Sequence, residues 1–169
     1  AFATIVDAVR HGRTIFQNIR RFIVYLLSGN LGEILAISAA AMVAAPLPML
    51  PLQILYINFV SDVMPALALG LNRSERGIME RPPRDPTEPI LTRRHWSAIG
   101  AYALIIAGAA LAAFSVALLV LELDTAMAVT ISFLTFGFAR LWHVFNMRGS
   151  RSPLIVNEVT RNGFIWAAI

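Results

Sequence analysis

Two short patterns hold polar side chains where the chain is otherwise apolar. Asn30 and Glu33 lie within SGNLGEIL; Asn58, Ser61 and Asp62 lie within NFVSDVMPA. A charge at membrane depth costs at least about 2.5–3.5 kcal/mol on insertion scales, so such a group is read first as functional. Asn30 and Glu33 are spaced i, i+3, and Asn58 and Asp62 i, i+4, so each pair shares one helix face. Gly29 and Gly32 flank the first pair and are expected to let a neighbouring backbone approach. Pro65 cannot donate to the Ser61 carbonyl, and its ring pushes that carbonyl aside. Irregular backbone at membrane depth is tolerated where it is buried in protein or lines a wet cavity. Two adjacent antiparallel helices would then present two carboxylates, two amides, a hydroxyl and freed backbone oxygens to one space. That is a hard-oxygen cage suited to Ca2+, Mn2+ or Mg2+, or in a looser form to Na+ or H+. The plainer alternative for Asn30, Asn58 and Ser61 taken singly is hydrogen-bonding glue between helices.

Other chemistries find little in the chain. It holds no glycine-rich phosphate loop, no HExxH and no cysteine, so neither a thiolate metal site nor a disulfide framework is available. An intramembrane protease with two aspartates would need a second one, and only Asp62 falls inside an apolar segment. Arg140 and His143 also fall inside one. His143 is expected to pack or to sit at the interface rather than to bind a ligand.

The elements that must position these groups follow from hydropathy. Of the 169 residues 57% are hydrophobic and 14% charged, with a mean hydropathy of +0.68. A soluble domain has about 25% charged residues. Here the apolar excess is gathered into long runs, the pattern of transmembrane helices. Residues 2–21 form an amphipathic pattern with Phe2, Ile5, Val6, Val9, Ile15, Phe16 and Ile19 recurring at helical spacing. No breaker separates it from the first apolar run, about 22–45, which Pro46 and Pro48 close. Further spans are expected at about 51–70, 95–121 and 126–145, with the start of another at about 163–169. Gly100, Gly108, Ala109, Ala112 and Ala113 are expected to permit close packing of the third span. Residues 71–94 carry four prolines and six arginines, which predicts an extended, semi-rigid loop. No internal repeat is visible. The fold expected is an all-α, polytopic helical membrane bundle, with an N-terminal stalk helix (1–21) continuous with the membrane domain (22–169).

All fourteen basic residues are arginine, the net charge is +4 and the pI is near 10.6. The arginines flank the apolar runs, which indicates a membrane surface and not a nucleic-acid partner. Arg10, Arg13, Arg20 and Arg21 precede the first span, six more lie in 71–94, and Arg148, Arg151 and Arg161 follow the fourth. The two intervening turns hold no Lys or Arg. The positive-inside rule therefore puts the N-terminus and the 71–94 loop in the cytoplasm. The first residues read as the middle of a helix and lack a Met, so a piece of a longer protein is expected.

The runs TIVDAVRHGRTIFQNIRRFIVYLLSGNLGEIL, PLPMLPLQILYINFVSDVMPALALG and IMERPPR resemble the C-terminal membrane half of type II P-type cation ATPases. The similarity is greatest to the calcium-pump branch. It covers essentially the whole chain and is strongest over residues 2–91. It implies that the four spans are that family's fifth to eighth transmembrane helices and that residues 2–21 are the stalk from the phosphorylation domain. It also implies that Asn30 and Glu33 match the family's NxxE ligands, and that Asn58, Ser61 and Asp62 match its NxxTD, with serine keeping the hydroxyl. The eighth helix departs from the family: Arg140 stands where the calcium pumps carry Glu or Gln. A guanidinium cannot ligate a cation. Either Arg140 is a fixed counter-charge in place of one bound ion, or it snorkels to the cytoplasmic surface. With a third acid from the family's fourth helix, the counter-charge reading suits one divalent ion rather than two.

The resemblance thus implies the membrane part of an ATP-driven pump in a cell membrane, carrying Ca2+ or a similar divalent cation. ATP and Mg2+ would be bound in cytoplasmic domains outside this chain, which is not expected to be active alone. Its partners would be the lipid bilayer and the rest of the pump. The all-arginine, alanine-rich usage and the short outer turns suit a bacterial source. The alternatives are an H+ or Na+ pump of the same family with Arg140 paired to Asp62 or Glu33, a passive channel or secondary transporter, and a membrane scaffold.

Overall fold

Prolines and charges decide where the apolar runs become helices. The computed structural model describes residues 2–72, 74, 77–80, 82–85, 87–149, 152–153 and 155–169. Arg73, Arg76, Arg81, Pro86 and Arg151, all counted above, lie outside the described residues. Helix α1 runs unbroken over Phe2–Met42. At 1.5 Å per residue it is about 60 Å long, twice the thickness of a hydrocarbon core. The amphipathic segment and the first span are therefore one rod, as the missing breaker predicts. It stops before Pro46, where Ala44 takes a left-handed φ of 52° and the Ala45 amide reaches back to the Ala40 carbonyl at 3.0 Å.

Helix α2 (Pro51–Gly70) is α-helical over Pro51–Ile57, π-helical over Asn58–Asp62 and α-helical again over Val63–Gly70. Helix α3 covers Arg93–Leu119. Asp124 caps helix α4 (Thr125–His143) by accepting from the Met127 amide at 2.8 Å, and a 3-10 turn over Val144–Met147 extends it. A short helix α5 spans Gly163–Ala168. Helices α1 to α4 are each long and apolar enough to cross a membrane. Leu104, Ile105, Leu119, Phe138 and Trp142 face outward, an apolar surface that only lipid or protein can cover.

Helix α1 packs along α3, α3 along α4, and the second half of α2 lies against α1 and α5. The α1–α3 seam is made by small residues. A Cβ on Gly32 would stand 3.1 Å from the Ala103 carbonyl oxygen, and Ala36, Ala40, Ala103, Ala107 and Ala110 are buried. Gly100 and Gly108 do not serve this purpose: a Cβ on either would meet nothing within 4 Å. They fall on other faces of α3, as do the exposed Ala109 and Ala112, and the close approach belongs to Ala103, Ala107 and Ala110.

Polar contacts tie the loops to the N-terminal half of α1. Asn18 donates to the carbonyls of Gly70 (3.1 Å) and Asn72 (2.8 Å), and Asn162 donates to that of Ala68 (3.0 Å). The Ala68 and Gly70 carbonyls lie in the last turn of helix α2, where the helix leaves them open. Arg13 donates to the Ile78 carbonyl at 3.0 Å, and Arg20 to that of Ile90 at 2.7 Å and to Glu88 at 3.1 Å. The guanidiniums of Arg20 and Arg84 also lie over the Phe16 ring, 4.8 and 4.2 Å from its centroid. The proline-rich loop is thus fastened along α1 by arginines.

After α4, the Glu158 carboxylate gathers the returning chain. It accepts from Arg21 (2.9 Å), the Gly149 amide (2.6 Å) and the Ser152 hydroxyl (2.7 Å). Burial alone would push this carboxyl up, but the Ser152 and backbone donors together with the Arg21 charge outweigh it and hold it below the ordinary glutamate range. A carboxyl held low when folded contributes stability above its unfolded value of about 4.3, and that contribution is lost as pH falls through the folded value. Thermal unfolding from pH 7 down to about pH 3, through the range below the unfolded value, is therefore expected to show a smaller acid-induced fall in Tm for Glu158→Gln than for the wild type. Equal falls would show that the clamp contributes nothing.

Candidate cation site

The polar patterns singled out in the sequence meet inside the bundle. Asn30 and Glu33 come from one turn of α1, and Asn58 and Asp62 from the π-helical turn of α2. Pro65 leaves the Ser61 carbonyl without its i+4 donor, and the α-helix gives way to a π turn in the preceding residues. From α4, Arg140 reaches into the same space and is 1% exposed. Its Nη1 donates to Asn58 Oδ1 at 2.7 Å and to Glu33 Oε2 at 3.4 Å. Its Nη2 donates to Asn30 Oδ1 at 2.9 Å and to Asp62 Oδ1. Phe136, one turn earlier on α4, sets its ring 5.7 Å from the guanidinium carbon.

Arg140 does not snorkel. Its guanidinium is held by four side chains from two other helices. Removing it from the interior would leave two carboxylates unpaired, which costs far more than the pairing itself contributes.

Ser61 lies beside the cluster and not in it. Its hydroxyl donates to the Ile57 carbonyl at 2.6 Å, closing back on its own helix. Its carbonyl is not an open ligand either: the Tyr25 hydroxyl donates to it at 2.7 Å. The proline break therefore frees an acceptor that α1 immediately occupies. Tyr25 was not legible as a partner, although a tyrosine in an apolar run signals that its hydroxyl needs one. His143 is buried, stacked on Tyr25 with ring centroids 5.9 Å apart and tilted against Tyr102 with centroids 4.4 Å apart. It packs, as expected.

Gly29 was expected to admit a neighbouring backbone. Its neighbour is instead the Arg140 side chain: a Cβ there would stand 2.8 Å from the guanidinium carbon. Among the described residues, no three His, Cys, Asp or Glu side chains come together. The available ligands are two carboxylates and two amide oxygens, hard donors of the kind alkaline-earth cations take. One oxygen from each is already turned onto Arg140. A divalent ion using those oxygens has to displace or share with the guanidinium.

Residues 46–169 match the family described as "Cation transporting ATPase, C-terminus". The chain belongs to this family. The match covers α2 to α5 and so includes Asn58, Ser61, Asp62 and Arg140. Over 151 residues the chain is also 42% identical to a Bacillus subtilis (strain 168) protein named "Calcium-transporting ATPase". That alignment covers 89% of this chain and 17% of the relative. The chain therefore spans a minor part of that relative's length, and with four helices long and apolar enough to cross a membrane it is a multi-pass, all-helical membrane chain.

Proposed function

We propose that this chain carries the ion through the membrane in an ATP-driven pump that moves Ca2+, or a similar divalent cation, out of the cytoplasm. The observation that supports this best is the seat of Arg140. Two carboxylates and two amides on adjacent helices hold a cation already, and that cation is part of the protein. In the ion-free state the guanidinium neutralises one of the two negative charges and occupies the ligand oxygens. An arriving divalent ion competes for those oxygens and shifts Arg140 aside. ATP and Mg2+ act in parts of the pump outside this chain.

In this reading residues 1–21 are the stalk and residues 22–169 the membrane domain, with the N-terminus and the 71–94 loop in the cytoplasm. Movement of the stalk is transmitted to Asn30 and Glu33 because α1 is one unbroken helix from Phe2 to Met42. The arginine contacts with the loop carry the same motion to α2 and α3.

A second reading has its own support: Arg140 pairs with both Glu33 and Asp62. An H+ or Na+ pump would use the guanidinium to drive a proton or sodium ion off these acids. ATP hydrolysis by the full-length protein in Ca2+, Mn2+, Na+ and pH titrations separates the two. Stimulation by micromolar Ca2+ or Mn2+ at fixed pH is expected. Stimulation by Na+ or acid alone, with none by divalent ions, would replace the first reading with the second.

A further inference from the structure

We propose that Gly29 is a positioning residue for Arg140: the side chain it lacks is the space in which the guanidinium lies. The inference rests on the cation-pump reading for its functional consequence and on geometry alone for the coupling.

Gly29 sits in the middle of α1, where the backbone is helical and does not call for glycine. A glycine inside a helix costs stability relative to alanine. The three glycines of α1 answer differently to an added Cβ. At Gly12 it would meet nothing within 4 Å, and at Gly32 it would press on the α3 backbone at Ala103. At Gly29 it would stand 2.8 Å from both Cζ and Nη2 of Arg140, closer than real Cβ contacts come, and it would also crowd Nε. The three nearest atoms all belong to the Arg140 side chain. The same Nη2 donates to Asn30, the residue next to Gly29, and to Asp62.

Alanine at position 29 therefore fits only if the end of Arg140, a side chain and not a backbone, shifts away. The move draws Nη2 off Asn30 and Asp62 and leaves those oxygens open. A single methyl on α1 then does part of what removing the arginine from α4 does. Position 29 sets how firmly the internal cation holds the cage, and so how much Ca2+ is needed to displace it.

The test is a double-mutant cycle in the full-length pump with Gly29→Ala, Arg140→Gln and both together. Half-maximal Ca2+ for ATP hydrolysis and Tm in Ca2+-free buffer are read for all four proteins. Gly29→Ala is expected to lower the half-maximal Ca2+ by about fivefold or more in the wild-type background and by less than about twofold beside Arg140→Gln. Glutamine ends where arginine has Nε and carries no guanidinium, so the methyl has no charge to push off Asn30 and Asp62. The same shift in both backgrounds, or none in either, would overturn the inference. Wild-type protein with no Ca2+ response would instead refute the divalent-pump reading. The Tm cycle then decides the coupling alone: non-additive Tm changes support it and additive ones sink it.

Discussion

Arg140→Met is expected to destabilise the ion-free protein sharply, by about 3–5 kcal/mol, and to make its stability depend on Ca2+. The substitution keeps a long side chain against Phe136 but removes the charge between Glu33 and Asp62. Two carboxylates then face each other in the bundle with no counter-charge. Breaking a buried pair by deleting one partner costs far more than the pair contributes, because the remaining charge stays out of water. Added Ca2+ supplies the missing positive charge. At one hundred times its dissociation constant, a ligand that binds only the folded state returns about 2.7 kcal/mol. Thermal unfolding in detergent with and without Ca2+ checks this. A large Ca2+-induced rise in Tm is expected for Arg140→Met and a small one for the wild type. Equal rises would mean that Arg140 and Ca2+ do not compete for one place.

Asp62→Asn is expected to abolish Ca2+-stimulated ATP hydrolysis in the full-length pump at Ca2+ concentrations that saturate the wild type. The amide keeps the shape and loses the charge. Arg140 then balances Glu33 alone, and the cluster has no net negative charge with which to attract a cation. Charged hydrogen bonds contribute about 1.5–3 kcal/mol each, which already corresponds to about 10- to 150-fold in affinity. Glu33→Gln is expected to act in the same direction and less strongly on Arg140, whose contact with Glu33 is the longest of the four at 3.4 Å. Ser61→Ala is expected to shift half-maximal Ca2+ by less than about twofold, because its hydroxyl is spent on the Ile57 carbonyl. A Ser61→Ala loss comparable to Asp62→Asn would mean that the π turn rearranges to bring Ser61 into the cage.

Much of this arrangement is legible in the sequence because it is periodic or punctuated. The four spans follow from apolar runs, each with at most one Asp, Glu or Arg, that are bounded by prolines, short turns or the charged 71–94 loop. The shared faces of Asn30 with Glu33 and of Asn58 with Asp62 follow from i, i+3 and i, i+4 spacing. Pro65 announces a backbone fault, and the π turn at Asn58–Asp62 is that fault. What sequence leaves open depends on where long or rotatable side chains go. Arg140 can snorkel or turn inward from one and the same backbone, and only the placement of four oxygens on neighbouring helices decides it. Ser61 can point into a cage or bond its own helix, and a hydroxyl in an apolar setting readily takes the local carbonyl. The Tyr25 bond to the Ser61 carbonyl and the fit of Arg140 against Gly29 each need two helices in register. Pattern within one helix carries no such information.

Equilibrium binding of radioactive Ca2+ to the purified full-length protein, wild type against Asp62→Asn and Arg140→Gln, shows whether the carboxylates around Arg140 hold the cation. Saturable binding by the wild type, tighter binding by Arg140→Gln and none by Asp62→Asn at the same concentrations are expected. Undiminished binding by Asp62→Asn would contradict this, because the cation would then be held somewhere other than the carboxylates around Arg140.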